Sequence, residues 1–277
     1  MKVVLTRLFR RRIVLLSAIV LVLITVLALG ASVFASADPN DTAVLDRLKA
    51  PSAEHLLGTD ELGRDLYARV VHGARYSLSI AAMTAVGSIV FGTFVGLIAG
   101  FFRRLDAPLM RVVDAMMSFP DILLAIALVA ILGASLTNVV LALVLVYTPR
   151  VARVVRASTL VVRELLFVEA ARAIGARTAH ILWHHVLPNL LSPILVQGSF
   201  IFAYAILAEA GLSFLGVGVP PEIPTWGTMV AGSQQYAERA FWVVLFPGLA
   251  IILTALSLQL LGDGVRDMLD PKLKKAA

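Results

Sequence analysis

The chain predicts an all-α, polytopic membrane protein with six transmembrane helices, and three observations carry that prediction. Of its 277 residues, 59% are hydrophobic and only 15% are charged. The apolar residues come in blocks of about 20, the length a helix needs to cross a hydrocarbon core of about 30 Å. Between the blocks, Lys and Arg gather on alternate sides, as the preference for positive charge on the inner face requires. Hydrocarbon admits only structures that satisfy their own backbone, and blocks this long point to helices. The formal charge of +6 therefore reads as topology and not as a nucleic-acid surface. There is no cysteine, so disulfides and thiolate metal sites are excluded.

Lys2, Arg7, Arg10, Arg11 and Arg12 precede an apolar run over residues 13–34. Ala35-Ser-Ala37 resembles a signal-peptide cleavage site, but the run is too long for a typical signal core, which predicts an uncleaved first span. Residues 38–76 are polar, with an amphipathic segment expected around Leu62–Val71. A second span over 77–101 ends at Arg103, Arg104 and Arg111. The apolar stretch from Ala115 to Val155 is too long for one crossing. It is also bounded by basic residues at both ends, so an even number of crossings is required. The reading is two spans, 117–133 and 138–156, joined by a tight outer turn. A fifth span over 189–212 and a sixth over 241–261 follow, and the tail bears Arg266, Lys272, Lys274 and Lys275. Both ends are then cytoplasmic. The expected divisions are 1–36 (inner terminus and first span), 37–76 (extracytoplasmic loop), 77–262 (five-helix core with an inner loop at 157–188) and 263–277 (cytoplasmic tail).

A polar island interrupts the apolar pattern from Glu169 to Pro188. Residues 164–174 are mostly good helix formers. Gly175 suits a left-handed helix end, Thr178 can cap a second short helix, and Pro188 is expected to end it. This predicts a helix–turn–helix on the membrane surface, docking a soluble partner. Gly92, Gly96 and Gly100 stack on one face of the second span, a spacing that permits close helix approach. That face packs either within the chain or on a partner subunit. Glu209, the acid well inside a span, is an intramembrane polar site, either a relay or a local hydrogen-bonding group. Asp121 reads as interfacial, and Arg150, Arg153 and Arg156 as snorkelling to headgroups.

No catalytic constellation is present. His180 and His184 have metal-ligand spacing and His185 adjoins them, but no Glu follows His180 and no third ligand is evident. No Walker-type phosphate loop and no Gly-x-Ser-x-Gly elbow occurs, so the chain does not bind and hydrolyse ATP by itself.

The island resembles the loop motif of binding-protein-dependent ABC importer permeases: Glu169-Ala-Ala171, three residues, Gly175, and Leu187-Pro188 at the family distance, with His185 in the usual apolar position. The runs His55–Asp65, Gly73–Leu78, Glu209–Gly216, Trp226-Gly227 and Leu261–Pro271 are similar to the second, C-type permease of dipeptide and oligopeptide importers. That resemblance implies a type I importer permease fold (MetI-like) in a bacterial inner membrane. It implies a second homologous permease as heterodimer partner, two ATPases that bind ATP and Mg, and an extracytoplasmic peptide-binding protein. Glu169, Ala170, Ala171, Arg172, Gly175, Leu187 and Pro188 are then the ATPase-coupling residues. Nickel chelates and glutathione remain alternative substrates within the branch, and an ion-coupled transporter using Glu209 is the alternative outside it.

Overall fold

A computed structural model describes residues 12–269 of the chain. The basic N-terminal residues through Arg11, and the tail with Lys272, Lys274 and Lys275, lie outside the described residues. Among the described residues, five helices are long and apolar enough to cross a membrane, and six if one bent pair counts as a single span.

Helix α1 (Arg12–Leu29) leans on the side of the bundle, Val14 meeting Gly264 of the last helix. Its Ser17 and Thr25 hydroxyls donate to the carbonyls of Ile13 and Leu21 four residues back, which hides their polarity inside the helix. Helix α2 (Leu66–Phe101) begins at Leu66 and not near residue 77, absorbing the expected amphipathic segment. The cause is local. Asp65 caps the helix by accepting from the Ala68 N–H at 2.9 Å. Arg69 is buried, pairing with Asp60 at 3.4 Å and donating to the Pro39 carbonyl at 2.9 Å, so its charge does not hold the helix end in water.

After α2 the chain enters α3 (Arg103–Met117) and α4 (Asp121–Leu132), which meet at 91°. Five charged residues on α3 (Arg103, Arg104, Asp106, Arg111 and Asp114) mark it as a surface helix, with Met110 and Val113 packed on Ala99 and Ala152. The expected third span is thus shorter than its sequence block. Helix α4 rises only about 18 Å. Gly133, at φ +89, turns the chain. Asn138 closes that turn by donating to the Leu132 and Gly133 carbonyls at 2.7 and 3.0 Å. Ser135 caps α5 (Leu136–Val162).

Helix α6 (Leu166–Ala173) ends in a two-bond turn. Gly175 takes φ +77, its N–H donates to Arg172 O, and Ala176 N–H donates to Ala171 O, each at 3.0 Å. The second short helix differs from expectation. Thr178 is its first residue and makes no cap bond, and Pro188 does not end it. One α-turn (Thr178–His180), a π-helical stretch (Ile181–Val186) and α7 (Leu187–Phe214) run on as a single helix of 37 residues. Pro188 falls in the first turn of α7, and the wider π register ahead of it avoids the i−4 clash that would break an α-helix. Asn189 Nδ2 donates to the His185 carbonyl at 2.6 Å across this junction.

The short helix α8 (Trp226–Ser233) sits at the far end of α7 with Thr225 in a capping box, and α9 (Trp242–Leu269) completes the bundle. The core lies between α2, α5 and α7, around Ile80, Leu143, Ile201, Leu212 and Trp226. Gly92, Gly96 and Gly100 all face α5 of the same chain. A Cβ on Gly96 would lie 2.6 Å from the Ala152 carbonyl oxygen, so the two backbones are in contact there.

Candidate functional site

The island's two helical pieces pack on each other. Val168 and Ala171 of α6 are buried in the same cluster as Ile181 and Val186 of the π-helical stretch. The opposite face is bare. Leu166 is 82% exposed, Ile174 84% and Trp183 67%, with Glu169 and Ala170 exposed beside them. Large apolar side chains standing in the open on α6 and the segments after it make a face that nothing among the described residues covers.

The sequence-predicted coupling residues therefore divide. Glu169, Ala170, Arg172, Gly175 and Pro188 are exposed, and Leu187 is half-buried. Ala171 is turned into its own chain, so its small size serves the packing of α6 and not an outside surface. Arg172 lies with its guanidinium 5.1 Å from the Phe101 ring centroid, which seats α6 on the end of α2. No Cβ contact restricts Gly175, so the left-handed φ is the reason for glycine.

His180 and His184 stack at 4.2 Å between ring centroids, and His185 meets His180 edge-on at 5.7 Å. Among the described residues no group of three or more His, Asp or Glu could hold a metal ion.

Behind the island runs a charged seam that sequence reasoning missed. Arg150, Arg153 and Arg156, read from sequence as snorkelling, each have an acidic partner. Arg150 binds Asp121 at 2.6 Å, Arg153 binds Asp114 at 2.6 Å, and Arg156 binds both oxygens of Asp106, one at 2.7 Å. Asp121 is thus an ion-pair partner and not simply interfacial. Arg163 continues the seam, donating to the Gly100 carbonyl at 2.7 Å. These bonds tie α3 and α4 to α5, and α5 to the end of α2. The signal was present as three Arg at spacing three opposite three Asp at spacings of eight and seven, but only folding brings the two sets together.

At the other end, Glu209 is 2% exposed. Its Oε1 accepts from Thr225 Oγ1 at 2.8 Å and Ser213 Oγ at 2.9 Å, and Gly227 leaves room for it, since a Cβ there would lie 2.9 Å from both carboxylate oxygens. The group fastens α8 to α7. The His55–Asp65 run is likewise structural. Asp60 accepts from the N–H groups of Leu62 and Arg64 at 2.9 Å and from Arg64 Nε at 2.6 Å. Trp242 Nε1 donates to the Thr59 carbonyl at 3.2 Å, pinning the loop to α9.

Comparison with known proteins supplies the family. Residues 75–275 match the model of the binding-protein-dependent transport system inner membrane component, and residues 1–51 match the N-terminal TM domain of oligopeptide transport permease C. The chain is 48% identical over 231 residues to the di/tripeptide transport system permease protein DppC of Pseudomonas aeruginosa, covering 83% of this chain and 76% of that one. It is 43% identical over 266 residues to the dipeptide transport system permease protein DppC of Alkalihalophilus pseudofirmus, covering 96% and 88%. It is 40% identical over 270 residues to the glutathione transport system permease protein GsiD of Pectobacterium atrosepticum, covering 97% and 90%. The fold is that of the methionine ABC transporter MetNI in its inward-facing conformation, with a TM-score of 0.59 at 22% identity over 74% of this chain and 98% of that one. A bundle of membrane-crossing helices agrees with these matches: the chain belongs to the binding-protein-dependent inner membrane components, the multi-pass, non-catalytic permeases of bacterial ABC transporters, whose ATP is bound on separate subunits.

Proposed function

We propose that this chain is the C-type permease of an importer for dipeptides or oligopeptides. It pairs with a second homologous permease, two ATPases and an extracytoplasmic peptide-binding protein, and both of its termini are cytoplasmic. The observation that carries the coupling role is the bare surface of the island, with Leu166 of α6, Ile174 just after it and Trp183 of the π-helical stretch in the open. Such a face fits a cleft on an ATPase, and the two-bond turn at Gly175 holds it at a fixed angle. ATP-driven closure of the ATPases biases the two states of the pore through this contact. Peptide as substrate is supported by the two DppC relatives and by the match of the first 51 residues.

Leu166→Asp and Glu169→Lys place a wrong charge in that contact, at a cost of about 2–5 kcal/mol where it is desolvated. The expected outcome is normal membrane insertion with substrate-stimulated ATPase activity reduced at least about tenfold. Full stimulation in both variants would remove the coupling role. Stimulation by nickel chelates or glutathione, with no response to dipeptides, would overturn the peptide assignment.

A further inference from the structure

A cleft of about 240 Å³ opens between α4, α5 and α7, lined by Asp121, Tyr147, Tyr204 and Leu207 among others. Arg150 touches three of these four. Its guanidinium is 2.6 Å from Asp121, and 5.8 and 5.4 Å from the ring centroids of Tyr147 and Tyr204. Arg150 lies midway along α5, about 21 Å from the Leu136 end and about 18 Å from the Val162 end, and meets Asp121 where α4 begins. Yet the pair is not sealed, for the Arg150 and Asp121 side chains are 35% and 38% exposed. Tyr204 and Leu207 beside them are 40% and 48% exposed. Lipid is a costly neighbour for exposed charge, so this face meets water or protein.

We infer that this cleft is a substrate-contact site on the translocation pathway, with Arg150 taking the terminal carboxylate of a peptide and Asp121 its terminal ammonium. The inference rests on the peptide reading above and names the residues that would recognise the peptide. A zwitterion carries one group for each partner, and the guanidinium fork suits a carboxylate. The resident pair neutralises itself when no substrate is present. Substrate entry exchanges one internal pair for two external ones, so no charge is left alone in a poorly hydrated place. The two tyrosines offer flat apolar walls to side chains of varied size. The volume is below the roughly 300–1,000 Å³ of complete small-molecule sites, so the cleft is one wall of a pathway whose other wall is the partner permease.

The absence of cysteine makes the test direct. Leu207→Cys is placed in the full complex in proteoliposomes and exposed to a charged, water-soluble methanethiosulfonate, with modification of this chain read by mass spectrometry. The expected result is modification of Cys-bearing chain only, slowed at least about fivefold by alanyl-alanine with binding protein and ATP. C-terminally amidated alanyl-alanine should protect less, and adding Arg150→Gln should abolish the difference between the two peptides. No modification would mean that the partner subunit covers the face. Modification that the dipeptide does not slow, or a difference between the peptides that survives Arg150→Gln, would equally overturn the inference. Stimulation of wild-type ATPase activity by the same dipeptide separates the two readings. If stimulation occurs without protection, the cleft alone fails, and if it is absent the peptide reading fails first.

Discussion

Glu209 holds two hydroxyls, from Ser213 on its own helix and from Thr225 at the start of α8, and so joins two elements through one carboxyl group. Removing it leaves both hydroxyls buried without their acceptor, which costs about 1–3 kcal/mol for each group left unsatisfied. Glu209→Ala is therefore expected to lower the thermal unfolding temperature of the detergent-solubilised protein clearly. Glu209→Gln keeps an accepting oxygen and is expected to change it little. Equal losses in both variants would show that charge, and not hydrogen bonding, is what matters there. An acid at this place in a span was legible from sequence as a polar site. Its partner was not, because Thr225 lies in a loop beyond Pro220-Pro221 and no periodicity links the two. Arg69 is a second case: it lies in the polar stretch 38–76, yet it is buried at the start of α2, where Asp60 accompanies it.

The seam between α3 and α5 belongs to the scale of elements. Arg153–Asp114 is half-open to water and contributes little, on the order of 0–1 kcal/mol. Arg156–Asp106 is more enclosed and two-pronged. Asp106→Arg, which sets like charges together, is expected to reduce transport-coupled ATPase activity, and the exchanged pair Asp106→Arg with Arg156→Asp to recover most of it. The Asp114 and Arg153 exchange should hardly register in the same assay. pH offers a second view of this pair. The hydrogen bond from Arg156 holds the Asp106 carboxyl below the usual carboxylate range. Its contribution is thus full above the unfolded-state value of about 3.9 and is lost as pH falls through the lower folded-state value. Asp106→Asn should accordingly flatten the fall in unfolding temperature between neutral pH and the acid limit. Each helix of the seam was visible as an apolar block or a charged stretch, whereas the pairing spans from 29 to 50 residues of sequence and follows from the 91° bend. Pro188 marks a different limit. Read as a stop, it is absorbed because a π-helical stretch adjusts the register before it, an option that residue propensities do not encode.

At the scale of the molecule, charge asymmetry and block length were enough to read a bundle of membrane-crossing helices. They did not reveal that the third crossing is a short helix, entered from a surface helix through a 91° bend. The proposed orientation is open to a sidedness test in the cysteine-free background. Ala37→Cys should react with an impermeant maleimide on intact spheroplasts, and Thr178→Cys only after permeabilisation; the reverse pattern would invert the topology. One consequence of the unbroken helix from Thr178 to Phe214 reaches across the whole protein. Its 37 residues make a continuous strut of about 55 Å with no loop along it. Tilting such a strut by 5° about one end moves the other by about 5 Å. The end near Phe214 is also where Gln234 donates to the Phe214 carbonyl at 3.1 Å and Glu209 grips Thr225. A lean imposed at the island end thus arrives at α8 as a sideways stroke of atomic size, carried along continuous helix.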